Sequence, residues 1–132
     1  MRRHPELLLL LLLFPQPLLA GAVEIVFAEL RWSGGEWQPT VTLRHADSGW
    51  EHYADAWRIV STDGTVLSHR TLYHPHVEEQ PFTRSGPGFT LPIDTSRATV
   101  EAHDTVHGWS ADRLEVDVAL PSGPRWLIQD NR

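Results

Sequence analysis

The chain of 132 residues contains no cysteine and no lysine, and its single methionine is Met1. The missing thiols exclude disulfide bonds, a cysteine nucleophile, and metal centres of the blue-copper or iron–sulfur kind. The missing lysine excludes Schiff-base and phosphate-loop chemistry, and a methionine-rich Cu(I) carrier is excluded too. Stability must therefore come from apolar burial, to which six tryptophans can contribute large rings.

The first 22 residues have the pattern of a secretory signal peptide. A basic start at Arg2-Arg3 precedes an apolar run from Leu7 to Phe14, and Ala20-Gly21-Ala22 fits a small-residue cleavage site. The run is too short to cross a bilayer as a helix, and no cysteine follows it to carry a lipoprotein anchor. We therefore expect an exported protein, periplasmic or secreted, that begins at Val23 and is not stably inserted in a membrane.

The charge after residue 22 is strongly acidic. Nine arginines stand against sixteen aspartates and glutamates, a formal charge of −7 with neutral histidines. Such a chain is a poor candidate for binding nucleic acid or anionic membranes, so a protein or small ligand is the expected partner. The sequence has no Gly-x-Ser-x-Gly elbow and no recognisable glycosidase carboxylate pair, which argues against an enzyme. A nucleophilic Ser48 or Ser110 beside a histidine remains a minor alternative.

Seven short strands with turn signals between them, and no sustained helical period, indicate an all-β domain. We predict a β-sandwich over residues 23–120, followed by a loosely attached C-terminal tail at residues 121–132. The predicted strands are residues 23–32, 37–44, 54–61, 66–73, 89–93, 98–102 and 114–120. The longer predicted loops are residues 45–53, 74–88 and 104–111.

Two resemblances follow from these residues. Phe89-Thr90-Leu91-Pro92-Ile93, a turn, and Val100-Glu101-Ala102 are similar to the fifth and sixth strands of immunoglobulin-like and fibronectin type III sandwiches, which the resemblance implies as the fold. The Cys-Trp-Cys pattern of true immunoglobulin domains is absent. The chain also resembles short exported bacterial proteins, a resemblance that implies no particular activity. The matching stretches are His45-Ala46-Asp47, Gly49-Trp50, His52-Tyr53-Ala54-Asp55, His74-Pro75-His76-Val77, Gln80-Pro81-Phe82-Thr83-Arg84 and Ala102-His103-Asp104.

Six of the seven histidines after the leader lie in or beside the three longer loops. In a sandwich these loops share one pole, so the imidazoles should converge there. Neutral imidazole is a common ligand of Zn and Cu(II), and carboxylates can complete or orient such a site. The predicted metal ligands are His45, His74, His76, His103 and His107, with His52 the least certain, and the predicted orienting carboxylates are Asp47 and Asp104.

Two interpretations compete with a metal site. The histidines, aspartates and arginines could form a polar network that satisfies loop backbone groups, in a protein- or carbohydrate-binding module that needs no metal. Trp50, Tyr53 and Trp109 are the candidate ligand platform of such a module, although burial of the rings is the simpler explanation. The sequence does not identify the metal, the ligand, the oligomeric state or the pathway.

Overall fold

Residues 21–132 are described by a computed structural model of the chain, and they form an all-β fold of two sheets. The coarse prediction of an all-β sandwich is therefore confirmed. The predicted signal peptide falls mainly on residues 1–20, which lie outside the described residues. Within the described part of the chain, no helix is long and apolar enough to cross a bilayer. The strands are β1 Glu24–Ser33, β2 Glu36–Arg44, β3 Ala54–Ser61, β4 Val66–Thr71, β5 Phe82–Ser85, β6 Arg97–Asp104, β7 Gly108–Asp117, β8 Ser122–Gly123 and β9 Trp126–Gln129.

One sheet has the strand order β5-β2-β1-β9-β8, and the other has the order β4-β3-β6-β7. All neighbouring strands are antiparallel except β1 and β9, which run parallel. The chain passes from the first sheet to the second after β2 and returns after β4. Consequently the segments that follow β2, β4 and β6 lie at the same end of the molecule.

Strand alternation builds the core between the sheets. On β2 the side chains of Trp37, Pro39, Val41 and Leu43 are buried, whereas the intervening residues are more exposed. Trp57 on β3 is the largest fully buried side chain. Comparable inward positions on the other strands are held by Ile25, Leu30, Val100, Leu114 and Val116. Since there is no disulfide, this apolar layer is the main source of stability.

The predicted fifth strand at residues 89–93 is wrong. The edge of β2 is instead paired by β5, at Phe82–Ser85, and Phe89 makes only an isolated bridge with Trp37. The backbone between β5 and Phe89 contains Pro87, which has no N–H to donate to the neighbouring strand. The alternation of apolar residues over 89–93 does not mark the buried face of a strand, since the side chain of Ile93 is 90% exposed.

The expectation of a loose tail at residues 121–132 is also wrong for most of that segment. β9 pairs with β1, and the side chains of Trp126 and Ile128 are buried in the core. Arg125 extends this attachment, because its guanidinium lies 3.1 Å from the Asp112 carboxylate and donates to the carbonyl oxygen of Ile25. The sandwich therefore includes the C-terminal residues up to Gln129.

The predicted loop at residues 104–111 is shorter in the structure, because β7 begins at Gly108. Asp104 pairs with Gly108, leaving only residues 105–107 in the turn. One Asp104 carboxylate oxygen accepts the backbone N–H groups of Val106 and His107, at 2.8 and 2.7 Å. Gly108 has a φ of 78°, in the left-handed region that glycine adopts without strain.

Replacing Gly86 with alanine should destabilise the fold. A Cβ at this position would overlap the Cη2 atom of Trp57 and lie 2.9 Å from Cζ2, and that ring has no room to move. We expect a loss of about 1–3 kcal/mol in the free energy of unfolding, as is typical of overpacked cores. Urea denaturation would measure this loss.

Gly88→Ala is the matched control, because the Cβ there would meet the ends of the Glu36 and Gln38 side chains. Glu36 is exposed and can move aside. Equal losses in the two variants would contradict the proposed contact between Gly86 and Trp57.

Candidate metal centre

Three segments meet at one pole of the sandwich: residues 45–53 after β2, residues 72–81 after β4, and residues 105–107 after β6. The backbone N–H of His76 donates to the Asp47 carboxylate at 2.8 Å, joining the first two segments. The backbone N–H of Thr105 donates to the carbonyl oxygen of Tyr53 at 3.0 Å, joining the first and third. The predicted convergence of the three loops is therefore confirmed.

Four side chains form a compact cluster at this pole. They are His45, His52, Asp104 and His107, and one potential ligand atom from each lies within 4.8 Å of those of the others. His45 and His52 come from the segment after β2, Asp104 ends β6, and His107 belongs to the turn before β7. The cluster therefore joins the first sheet to the second.

The imidazole of His45 is sealed inside the protein, with 1% of its side chain exposed. Its Nδ1 lies 2.5 Å from a carboxylate oxygen of Asp47, so Nδ1 carries a proton and donates it. Asp47 is fixed in turn by the backbone N–H of Ala54, at 3.0 Å. The Nε2 of His45 then has a free lone pair, and no group of the described residues forms a hydrogen bond with it. It faces the Asp104 carboxylate, whose Oδ2 is 3.8 Å away.

Asp104 is the fully buried carboxylate of the cluster. Burial alone would raise its pKa, but hydrogen bonds from the backbone N–H groups of His107 and Val106 outweigh burial, and the pKa lies below its usual value. Nearby His107 and His45, when they carry a proton, lower the pKa further. Asp104 is therefore ionised at neutral pH. The two backbone N–H groups bind its Oδ1, whereas its Oδ2 is contacted by the imidazole of His107, at 3.2 Å.

His52 and His107 complete the cluster on its solvent side. The Nε2 of His52 is 3.3 Å from Asp104 Oδ1, and that nitrogen is buried without a hydrogen-bond partner among the residues that the structure describes. The Nδ1 of His107 is 3.2 Å from both oxygens of Asp104. The side chain of His107 is 40% exposed and that of His52 is 16% exposed. The cluster is thus shielded from solvent at His45 and accessible to solvent at His107.

The donor set suits a divalent transition metal. Three imidazoles and one carboxylate are ligands that Zn and Cu(II) accept, and neutral imidazole supplies the lone pair. Ligand atoms around a tetrahedral ion with 2.0–2.1 Å bonds lie about 3.4 Å apart. The 4.8 Å limit on the separations in the cluster is close enough for small side-chain rotations to reach that geometry.

His103 lies at the predicted pole but not in the cluster. Its Nδ1 is 2.5 Å from a carboxylate oxygen of Asp55, and its ring packs edge-on against Trp109 with ring centres 4.9 Å apart. His103 and Asp104 are successive residues of β6, so their side chains project to opposite faces of the sheet. Asp104 faces inward to the cluster, and His103 faces outward.

His74 and His76 also stay outside the group of four. The ring of His76 is buried and stacks on Phe82, with centres 4.0 Å apart and planes within 10°. His74 is exposed, and its ring centre is 4.6 Å from that of His76. The link between His76 and the cluster is Asp47, which accepts the His76 N–H with one oxygen and holds His45 with the other.

The aromatic residues do not form a flat ligand platform. Trp50 is 66% exposed, and its ring meets that of Tyr53 edge-on at an angle of 74°. The guanidinium of Arg58 lies over the ring of Trp109 at 3.6 Å. These orientations differ from the coplanar surface that stacking of a sugar would require.

Sequence reasoning ranked His52 last and treated Asp104 as an orienting residue, yet both lie in the cluster. The strand alternation of His103 and Asp104 was the available signal, since only one of them can face inward. Gly49 provided a second signal, because a glycine three residues before His52 favours the tight turn in which the backbone N–H of His52 donates to the Gly49 carbonyl.

The chain is similar to a protein named "Putative lipoprotein" from Halomicrobium mukohataei, with 36% identity over 91 residues. The aligned stretch covers 64% of this chain and 44% of that relative, so the chain spans less than half of the relative's length. No family model matches the chain. No solved structure matches it.

The histidine at position 76 should make the metal-free protein sensitive to mild acid. Burial lowers the pKa of His76 below 6.5, and the charges of Arg84 and His74 lower it further. Below pH 6.5 the unfolded chain therefore takes up a proton more readily than the folded chain, and stability falls as the pH decreases towards the folded pKa. His76→Phe keeps a ring against Phe82 and removes this proton uptake. In the presence of a chelator, the free energy of unfolding of the variant should increase relative to that of the wild type as the pH is lowered from 7 to 5.

Urea denaturation at several pH values would measure this difference. A difference between variant and wild type that stays constant over the range would contradict the burial of an uncharged His76.

Proposed function

We propose that this protein is an exported binding module that holds a divalent metal ion, Zn or Cu(II), at His45, His52, Asp104 and His107. The observation that carries the proposal is the Nε2 of His45. This nitrogen is sealed from solvent, has a free lone pair, lacks a hydrogen-bond partner in the described part of the chain and faces an ionised carboxylate. A buried polar atom without a partner is costly, and an ion between His45 and Asp104 would remove that cost.

The surroundings of His45 match those of a metal ligand. Histidines that bind metals usually donate their second ring N–H to a carboxylate, which fixes the tautomer and makes the ring a better ligand. Asp47 occupies that position. The Oδ2 of Asp104 would be the carboxylate ligand, because Oδ1 already accepts two backbone N–H groups.

The charge balance of the pole also favours a cation. Asp47 and Asp104 have fully buried side chains, and among the described residues their ion-pair partners are histidines rather than arginines. Buried carboxylates with neutral imidazoles leave negative charge uncompensated in a medium of low polarity. A divalent ion would supply the compensation without requiring protonated histidines.

Export is part of the proposal. It is supported by the signal-peptide pattern of residues 1–22 and by the relative's name, which refers to a lipoprotein. The protein would act in the periplasm or outside the cell, where metal ions and other proteins are its expected partners. It is not proposed to be an enzyme.

We also propose that the sandwich is of the immunoglobulin-like or fibronectin type III-like kind. The order β1-β2-β5 corresponds to strands A, B and E of such folds, and the order β3-β6-β7 corresponds to strands C, F and G. β4 then takes the place of C′ at the edge of the second sheet. In this comparison the segments after β2 and β6 are the BC and FG loops, which lie at one end of the sandwich.

The competing function is a protein- or carbohydrate-binding module in which the cluster is only a polar network. The hydrogen bonds from backbone N–H groups to Asp47 and Asp104 favour it, because such bonds can fix loops without an ion. A direct titration with metal distinguishes the two functions.

The first test is calorimetric titration of chelator-treated protein with Zn and with Cu(II). We expect saturable binding with a dissociation constant below about 100 μM, which corresponds to about −5.5 kcal/mol. The melting temperature should rise with metal concentration by mass action. His52→Ala should weaken Zn binding, since it removes a predicted ligand whose side chain is partly exposed. His69→Ala changes an exposed histidine of β4 outside the cluster, and it should bind Zn as the wild type does. Absence of saturable binding in the wild type would reject the metal site in favour of the polar network.

The second test concerns the carboxylate behind His45. Asp47→Asn should lower the Zn affinity by about 10–100-fold, the usual effect of removing a carboxylate partner of a metal-bound histidine. Asp55→Asn is the matched control, because Asp55 pairs with His103 at the same 2.5 Å distance but outside the cluster. Comparable losses of Zn affinity in both variants would show that Asp47 has no particular role in the site.

A further inference from the structure

The proposed metal site does not include His76, although the imidazole of this residue is buried nearby. Only 4% of its side chain is exposed, and neither Nδ1 nor Nε2 has a hydrogen-bond partner within residues 21–132. A neutral imidazole always carries one N–H and one lone pair, so at least one buried donor and one buried acceptor are left unpaired. Such pairs of unpaired groups are rare in folded proteins, and an ion bound to the ring is one way to satisfy them.

The ring of His76 is held in place by its neighbours. Phe82 stacks on it at 4.0 Å, and the backbone N–H of His76 is fixed by Asp47. The ring therefore cannot turn its nitrogens to solvent without breaking these contacts. Its two nitrogens therefore stay inside the protein, unpaired with any group of residues 21–132.

Two further side chains that could supply metal-ligand atoms lie next to this ring. The ring centre of His74 is 4.6 Å away, and its Nδ1 lies 3.1 Å from the Pro75 carbonyl oxygen, so its Nε2 remains free. The Oδ2 of Asp47 is 4.0 Å from the Nδ1 of His76. Two imidazoles that each have a free nitrogen, beside a carboxylate, have the composition of a transition-metal site.

We propose a second divalent-ion site at His74 and His76, beside Asp47. It is separate from the cluster of His45, His52, Asp104 and His107, and it does not require that cluster to bind metal. Asp47 lies between the two sites, with Oδ1 towards His45 and Oδ2 towards His76. The second site has fewer imidazoles and is nearer the surface at His74, so it binds more weakly than the first.

The test is a titration of the chelator-treated chain with Cu(II), the divalent ion that nitrogen and oxygen donors bind most tightly. Calorimetry and electron paramagnetic resonance would count the bound ions and separate their spectra. The wild type should bind two equivalents. His74→Ala changes an exposed side chain, leaves the core intact and should bind one equivalent. His52→Ala should weaken the other equivalent and keep the one that depends on His74. His69→Ala should bind two equivalents.

Each outcome decides between the sites. A wild type that binds a single equivalent, unchanged by His74→Ala, overturns the second site and indicates that water satisfies His76. A wild type that binds two equivalents, both kept in His74→Ala, overturns it as well. If a single equivalent is lost in His74→Ala but kept in His52→Ala, the second site stands and the proposed function of the cluster fails.

Discussion

The burial of two carboxylates at one pole is the constraint on which the site depends. Asp47 and Asp104 are removed from water, and a buried carboxylate must be compensated by hydrogen bonds or by positive charge. The structure provides backbone N–H groups from the adjoining loops and imidazoles from three histidines, His45, His52 and His107. Both carboxylates thereby fix loop geometry, and the same geometry directs the free nitrogen of His45 towards Asp104. Loop structure and ligand placement are consequences of the same interactions.

These interactions connect the two sheets in a protein that has no disulfide. His45 follows β2 of the first sheet, whereas Asp104 and His107 belong to the hairpin of the second. An ion bound to all of them would cross-link residues that are far apart in the sequence, as a disulfide does in many exported domains. Metal binding would then be coupled to folding, because the unfolded chain does not assemble the site.

The sequence was sufficient to predict the sandwich and the pole, but not which side chains meet there. Alternating residues and turn signals located β1 to β4 closely, and these strands determine where the loops emerge. The inward series of Ala98, Val100 and Ala102 continues to Asp104 rather than to His103, but only if β6 extends to residue 104, and that length depends on its pairing with β3 and β7. The fifth strand was misplaced because both residues 82–85 and residues 89–93 can be extended, and only pairing with β2 selects between them. The tail was misjudged because the short run from Trp126 to Gln129 is stabilised by contact with β1 rather than by its own pattern.

The uneven exposure of the cluster bears on how an ion would be held. His45 and Asp104 are sealed, so bonds to them would be protected from water and strengthened by their surroundings. His107 is on the surface, and a side chain there can swing away without disturbing the core. An ion would thus enter and leave past His107 while His45 and Asp104 stay in place. This arrangement fits a binding module that exchanges its metal better than one that keeps the ion permanently, because a permanent structural site is usually enclosed on all sides by its ligands.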